Sequence, residues 1–205
     1  LSRENFEIRI EPNKDARTLT ISDNGIGMSA EELEENLGII AKSGSLGFKT
    51  ENEEAAKDTD IIGQFGVGFY SAFMVAKHIE VTSRKLGDEQ AHVWISDGAD
   101  GYSVEDGSRD EVGTTVQLTL RDDTEDDKYD EFLEEYRLRS LVTKYSDYIR
   151  YPIVMNVEKS KMKEASEEEK AKEDYQPEYE TYREDERLNS MVPIWKKKKS
   201  EITAE

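Results

Sequence analysis

The stretch SDNGIGMSAEEL, Ser22 to Leu33, sets one carboxylate, Asp23, at the end of an alternating run, RTLTIS, and just ahead of Gly25 and Gly27. A carboxylate only accepts hydrogen bonds, so an acid fixed there can select a ligand that donates, such as an exocyclic amine. Glycines beside it would let a flat base approach the backbone. The same letters also spell an Asx-type turn, DNG, joining a strand to a helix, and for this loop alone the turn is the commoner outcome. About forty residues on, Gly63, Gly66 and Gly68 stand in GQFGVGFYSAF, ahead of an apolar run that reads as a helix. Consecutive N–H groups at a helix start make an anion site. That loop, too, reads by itself as an ordinary tight turn. It is neither a Walker loop, for lack of a following Gly-Lys-Ser/Thr, nor a Rossmann fingerprint.

The pair means more than either loop. One offers an acceptor for an amine and the other offers donors for phosphates. Between them, IAKSGSLGF places Lys42 and Ser43 where a cover over phosphates would sit, and Thr114, in GTTV, could add a polar contact at the base. Together they read as an adenine-nucleotide site in two halves.

Strands and helices must position these groups. FEIRIEP and TLTIS alternate with period two around NKDAR, a strand, a turn and a strand. Ser29 and Glu32 form a capping box, and Leu33, Leu37, Ile40 and Ala41 then share a helical face. HIEVTSRK, AHVWISD, YSVED and GTTVQLTL read as an antiparallel meander. KYDEFLEEYRLRSLVTKYSDYI reads as one helix with Phe132, Leu133, Tyr136, Leu141, Val142, Tyr145 and Ile149 inward, and YPIVMNV as a last strand. The expected class is α+β, a two-layer sandwich of helices on an antiparallel-rich mixed sheet. From Glu158 to Arg187 the sequence is mostly charged and nearly free of aliphatics, so it reads as a flexible charged linker. The expected division is 1–157 for a ligand-binding domain, 158–187 for the linker and 188–205 for the start of another domain.

The net charge of −19 argues against nucleic acid and anionic membranes as partners, since both would repel the chain. No cysteine is present to form disulfides or thiolate metal sites. No apolar run approaches the ~20 residues of a membrane span, and no signal peptide is visible. His78, His92, Trp94 and Trp195 read as strand and packing residues, and the KKKK run at Lys196–Lys199 as a solvated turn.

The strings DNGIGM, NLGIIAKSGS and IGQFGVGFYSAF, in this order and spacing, resemble the ATPase domain of the ninety-kilodalton heat-shock chaperones, bacterial HtpG type. RLRSLVTKYSDYIRYPI is similar to the end of that domain, and the acidic stretch followed by PIWKKKKSEIT to its junction with a middle domain. The wider superfamily, with its Bergerat fold, also holds mismatch-repair ATPases, topoisomerases and sensor kinases. The resemblance implies that Asp23 receives the adenine amino group. It implies that Gly27 and Met28 form floor and wall around the base, that Thr114 helps hold it, and that Asn36 lies near ribose and phosphates. Lys42 and Ser43 would reach towards the phosphates, which the backbone of Gly66, Val67, Gly68 and Phe69 cradles. Gly44 to Gly63 would form a lid.

Other implications are ATP/ADP with Mg2+ as cofactors, a homodimeric clamp, client proteins, possible co-chaperones and a cytoplasmic place in the stress response. The family's general-base glutamate and magnesium-holding asparagine have no match from Leu1 onward, so the expectation is that they lie upstream and that these residues alone do not turn over ATP. The alternatives are a mismatch-repair type ATPase, or a nucleotide-gated binding module without turnover.

Overall fold

The computed structural model describes residues 5–38, 68–163 and 176–192. In chain order the elements are β1 (Ile8–Asn13), β2 (Thr18–Asp23), α1 (Ala30–Leu37), a 3-10 helix (Phe69–Met74), β3 (Ala76–Arg84), β4 (Ala91–Ser96), β5 (Ser103–Gly107) and β6 (Gly113–Leu120). A second 3-10 helix (Tyr129–Leu133), α2 (Glu135–Tyr145), β7 (Ile153–Met162) and β8 (Tyr179–Arg187) follow. The strands make one eight-stranded sheet in the order β5-β4-β3-β6-β2-β1-β7-β8. All pairings are antiparallel except β1 with β7. The α+β reading with a mixed, antiparallel-rich sheet therefore holds.

The period-two patterns set which face is buried. Directly paired residues lie on the same face, so the registers define rows running across the sheet. Val104, Trp94, Val81, Val116, Ile21, Ile10 and Met155 form one such row over seven strands. Trp94, Val81, Ile10 and Met155 in it are buried, as are Leu33 and Leu37 of α1 in the same core. Each fully buried aliphatic side chain contributes roughly 1.5–3 kcal/mol. The opposite face carries Glu80, Thr82, Gln117 and Thr20, as a sheet with one wet face requires. At α1 the capping box forms as its letters suggest. Ser29 Oγ accepts from the Glu32 N–H at 3.3 Å, and a Glu32 carboxylate oxygen accepts from the Ser29 N–H at 2.9 Å.

Three expectations need correction. The apolar run after Gly68 forms not an α-helix but one 3-10 segment, Phe69–Met74, with Ala76 already in β3. The single helix expected from Lys128 breaks at Glu134, which is extended at φ −85° and ψ 126°. That break resets the helical phase, so Tyr136 and Tyr145 face solvent and Leu138 with Val142, four residues apart, make the buried stripe.

The third correction concerns the charged segment. Glu158–Met162 continues β7, and Tyr179–Arg187 pairs with it as β8. Leu188 and Asn189 then pack into the same core. The Asn189 side chain accepts from the Ile153 N–H at 2.9 Å and donates to the carbonyls of Ile149 and Tyr151 at 2.9 and 3.0 Å. Where the residues of this stretch are described, 158–162 and 179–189, they are strand and core rather than flexible linker or the opening of a separate unit. Low aliphatic content misleads here because cross-strand ion pairs replace apolar contacts. Lys159 reaches Glu184, Lys161 reaches Glu180 and Lys163 reaches Glu178, at 2.5, 2.9 and 2.8 Å. Residues 164–175 and 193–205 lie outside the described residues.

Candidate nucleotide site

One step along the sheet from the apolar row just described, the next row on the buried face is polar. It runs Ser83 of β3, Thr114 of β6 and Asp23 of β2, each the direct partner of the next, then Ile8 and Ile153. Ser83 and Thr114 are buried. Polar groups so placed must be hydrogen-bonded, and they are. The Ser83 hydroxyl lies 2.9 Å from Thr114 Oγ1 and 3.1 Å from the Gly113 carbonyl, and it accepts from the Met28 N–H at 2.8 Å. The Asp23 carboxylate accepts from the Gly25 N–H at 2.8 Å, which is the Asx-type turn. Turn and acceptor are therefore compatible: Oδ1 is engaged by the loop, and a carboxylate has capacity left on its other oxygen.

Two glycines allow this crowding. Gly27 has φ +63°, and a Cβ on it would lie 2.0 Å from the Arg84 carbonyl oxygen. Gly113 has φ +130°, and a Cβ there would lie 2.2 Å from the Asp23 carbonyl oxygen. Only glycine lets the loop after β2 and the start of β6 close on their neighbours. Leu86 N–H donates to the Ile26 carbonyl at 2.8 Å, fastening the same loop to the end of β3. From behind, the Arg109 guanidinium donates to the Asp23 carbonyl at 2.8 Å and to the Thr115 hydroxyl. Lys85 and Glu32 form an ion pair at 2.6 Å between that strand end and α1. Burial pushes the Glu32 carboxyl up. Lys85 and the Ser29 N–H together outweigh this, so it sits below its ordinary value.

Of the residues singled out in the sequence, Asp23, Gly27, Met28 and Thr114 come together in this corner. Asn36 stands next to it, its side-chain amide 3.9 Å from the Met28 sulfur. Phe69 lies instead at an aromatic cluster, with Gly68 just before it at the start of the 3-10 helix. Phe69 meets Trp94 edge-on with centroids 5.4 Å apart, and Trp94 stacks on Tyr102 at 5.8 Å. Tyr70 donates to the Leu37 carbonyl at 2.6 Å, joining the end of the first described stretch to the start of the second, and burial pushes its phenol up. Lys42, Ser43, Gly66 and Val67, with the lid expected over Gly44 to Gly63, lie outside the described residues.

The sequence reading missed Ser83 and Arg109. Ser83 could have been found, because Ile79, Val81 and Ser83 recur with period two and the third of them ends an apolar series with a hydroxyl. Arg109 sits in a loop whose path no local pattern gives. Among the described residues no group of three or more His, Asp or Glu is placed to hold a metal ion.

Residues 2–119 match the family described as histidine kinase-, DNA gyrase B-, and HSP90-like ATPase, and residues 131–181 match Hsp90 protein. The chain is similar to the chaperone protein HtpG of several bacteria. It is 56% identical to that of Bacillus subtilis over 204 residues, covering 99% of this chain and 31% of the relative. The values are 55% over 205 residues for Halalkalibacterium halodurans, covering 100% of this chain and 31% of the relative. For Clostridium perfringens they are 54% over 203 residues, 98% and 31%. The chain thus spans about a third of the length of these relatives.

Proposed function

This chain belongs to the histidine kinase-, DNA gyrase B- and HSP90-like ATPase family, in its Hsp90 branch, and we propose that it is the nucleotide-binding domain of an ATP-dependent molecular chaperone. The observation that carries the proposal is the polar row Asp23, Thr114 and Ser83, set at the end of an apolar sheet face where Gly27 and Gly113 let the loop after β2 and the start of β6 pack close. An adenine amine donates and these groups accept, so the corner fits the base. Met28, whose N–H donates to Ser83, is the flanking residue of this reading, and Asn36, next to Met28, is its residue towards ribose and phosphates. Lys42, Ser43, Gly66, Val67, Gly68 and Phe69 are the phosphate-side residues of this reading.

Binding in such a site is the means by which a nucleotide can bias a larger machine, because a ligand shifts an equilibrium by its differential affinity for the two states. On this reading the whole protein is a homodimeric, cytoplasmic clamp that hydrolyses ATP and assists client proteins, with co-chaperones as further partners. A phosphate chain would bring its own Mg2+. The described residues offer no ligand set for that ion, and no step is assigned to it. The identity to HtpG chaperones along the whole chain favours the chaperone over a mismatch-repair type ATPase.

Calorimetry of ADP with the full-length protein tests the site, and phosphate release with suppression of aggregation of an unfolded protein tests the function. Saturable 1:1 ADP binding that Asp23→Asn weakens roughly ten- to a hundredfold is expected. Unchanged affinity in that variant would overturn the assignment of the base site. Phosphate release without any effect on aggregation would favour an ATPase of another kind.

A further inference from the structure

Ser83 is fully buried, so water does not satisfy its hydroxyl, and three protein groups surround it. A hydroxyl has one proton to give and two lone pairs to receive with. The Met28 N–H takes one lone pair at 2.8 Å. The Gly113 carbonyl, at 3.1 Å, can only accept, so it takes the proton. What remains at 2.9 Å from Thr114 Oγ1 is a lone pair, and Thr114 must donate to it. The reverse assignment would leave the Ser83 and Gly113 oxygens 3.1 Å apart with no proton between them, an unsatisfied and repulsive pair in a buried place. Thr114 has a single proton, and this network uses it. Towards Asp23, its direct neighbour across the strands, Thr114 therefore presents lone pairs only.

We propose that Ser83 is a positioning residue that fixes the Thr114 hydroxyl as an acceptor, so that Thr114 and the Asp23 carboxylate together select a purine bearing an amine over one bearing a carbonyl at the same carbon. The inference rests on the adenine reading of the site and adds how the discrimination is enforced. Were the Thr114 hydroxyl free to rotate, it would donate to a carbonyl as readily as it accepts from an amine. With its proton held by Ser83, a carbonyl meets two acceptors. Rejection by unpaired lone pairs is a stronger filter than the loss of one favourable contact.

The experiment compares ADP with inosine diphosphate, which carries a carbonyl in place of the amine, by calorimetry on the full-length protein. The wild type should prefer ADP. Ser83→Ala should cut the ratio of the two affinities by roughly tenfold, the worth of about one hydrogen bond, partly through a gain for inosine diphosphate. Ser83→Cys, close in volume but with a thiol that donates and accepts weakly, should do the same and guards against a folding defect in the alanine variant. Ser83→Thr, which keeps the hydroxyl, should hold the wild-type ratio. Folded Ser83→Ala and Ser83→Cys proteins with an unchanged ratio, even at a lowered melting temperature, would make Ser83 a packing residue and overturn the proposal. A wild type that binds neither nucleotide would instead overturn the base site itself.

Discussion

Two lines of polar side chains cross neighbouring strands in this sheet, and they work in opposite ways. The row Ser83, Thr114 and Asp23 is buried for two of its three members and held by a few directed hydrogen bonds. The ladder between β7 and β8 is exposed and built from interchangeable ion pairs, with Lys159 alone touching both Glu184 and Glu186. A buried network is costly to break because any orphaned group stays unsatisfied. An exposed ladder loses little from any one pair, since water and salt take the place of the partner. Specificity belongs to the first kind of line, and solubility with strand order to the second.

The comparison can be broken most severely at the backbone that surrounds the row. Gly27→Ala would force a Cβ onto the Arg84 carbonyl at an unfavourable φ. It should cost about 3 kcal/mol or more in urea unfolding and remove ADP binding. A variant unfolding like the wild type would mean that the loop after β2 is free to move away. Next in size, Asp23→Asn should leave the fold near wild type, because the amide oxygen can still accept from the Gly25 N–H. It should weaken ADP by about 1.5–3 kcal/mol, roughly ten- to a hundredfold in Kd.

On the ladder side the effects shrink. The Arg9 guanidinium first, then the Asn156 amide, hold the Asp185 carboxyl down to about 2, from an ordinary 3.8. Because the folded value is the lower one, the stabilisation is present above the unfolded value and is lost as pH falls through about 2. NMR titration should find that depressed value, and Arg9→Ala should return it most of the way. An unmoved titration would assign the shift to Asn156 instead. Smallest of all, a double-mutant cycle on Lys161 and Glu180, a directly opposed pair, should show a coupling at the edge of detection that disappears in molar salt. A large, salt-resistant coupling there would erase the contrast between the two lines.

The ladder also shows why its strand went unread. Lys159 and Lys161 alternate along β7 with Lys163 just past its end, and Glu180 and Glu184 on β8, with Glu178 just before its start, answer them. Each half looks like a solvated run until the register is known, because a charge pattern has meaning only against its partner strand. The helix that breaks at Glu134 failed for a related reason. A period of 3.6 counted across a break keeps its spacing but loses its phase.

The sequence by itself determined the strands with period-two alternation, the capping box at Ser29, the acid and glycines of the loop after β2, and the family. These are local signals, written in residue types whose conformational limits act within a few positions. It also carried Thr114 as a candidate beside Asp23, from the GTTV string and from the family resemblance. Only the tertiary structure decided that Ser83 stands next to Thr114, that Arg109 reaches the Asp23 carbonyl, and that the core extends to Leu188 and Asn189. Those contacts join residues 31, 86 and 36 positions apart, and no local rule encodes them. The order of strands in the sheet brings them together, and that order is set by how the whole chain buries its apolar face.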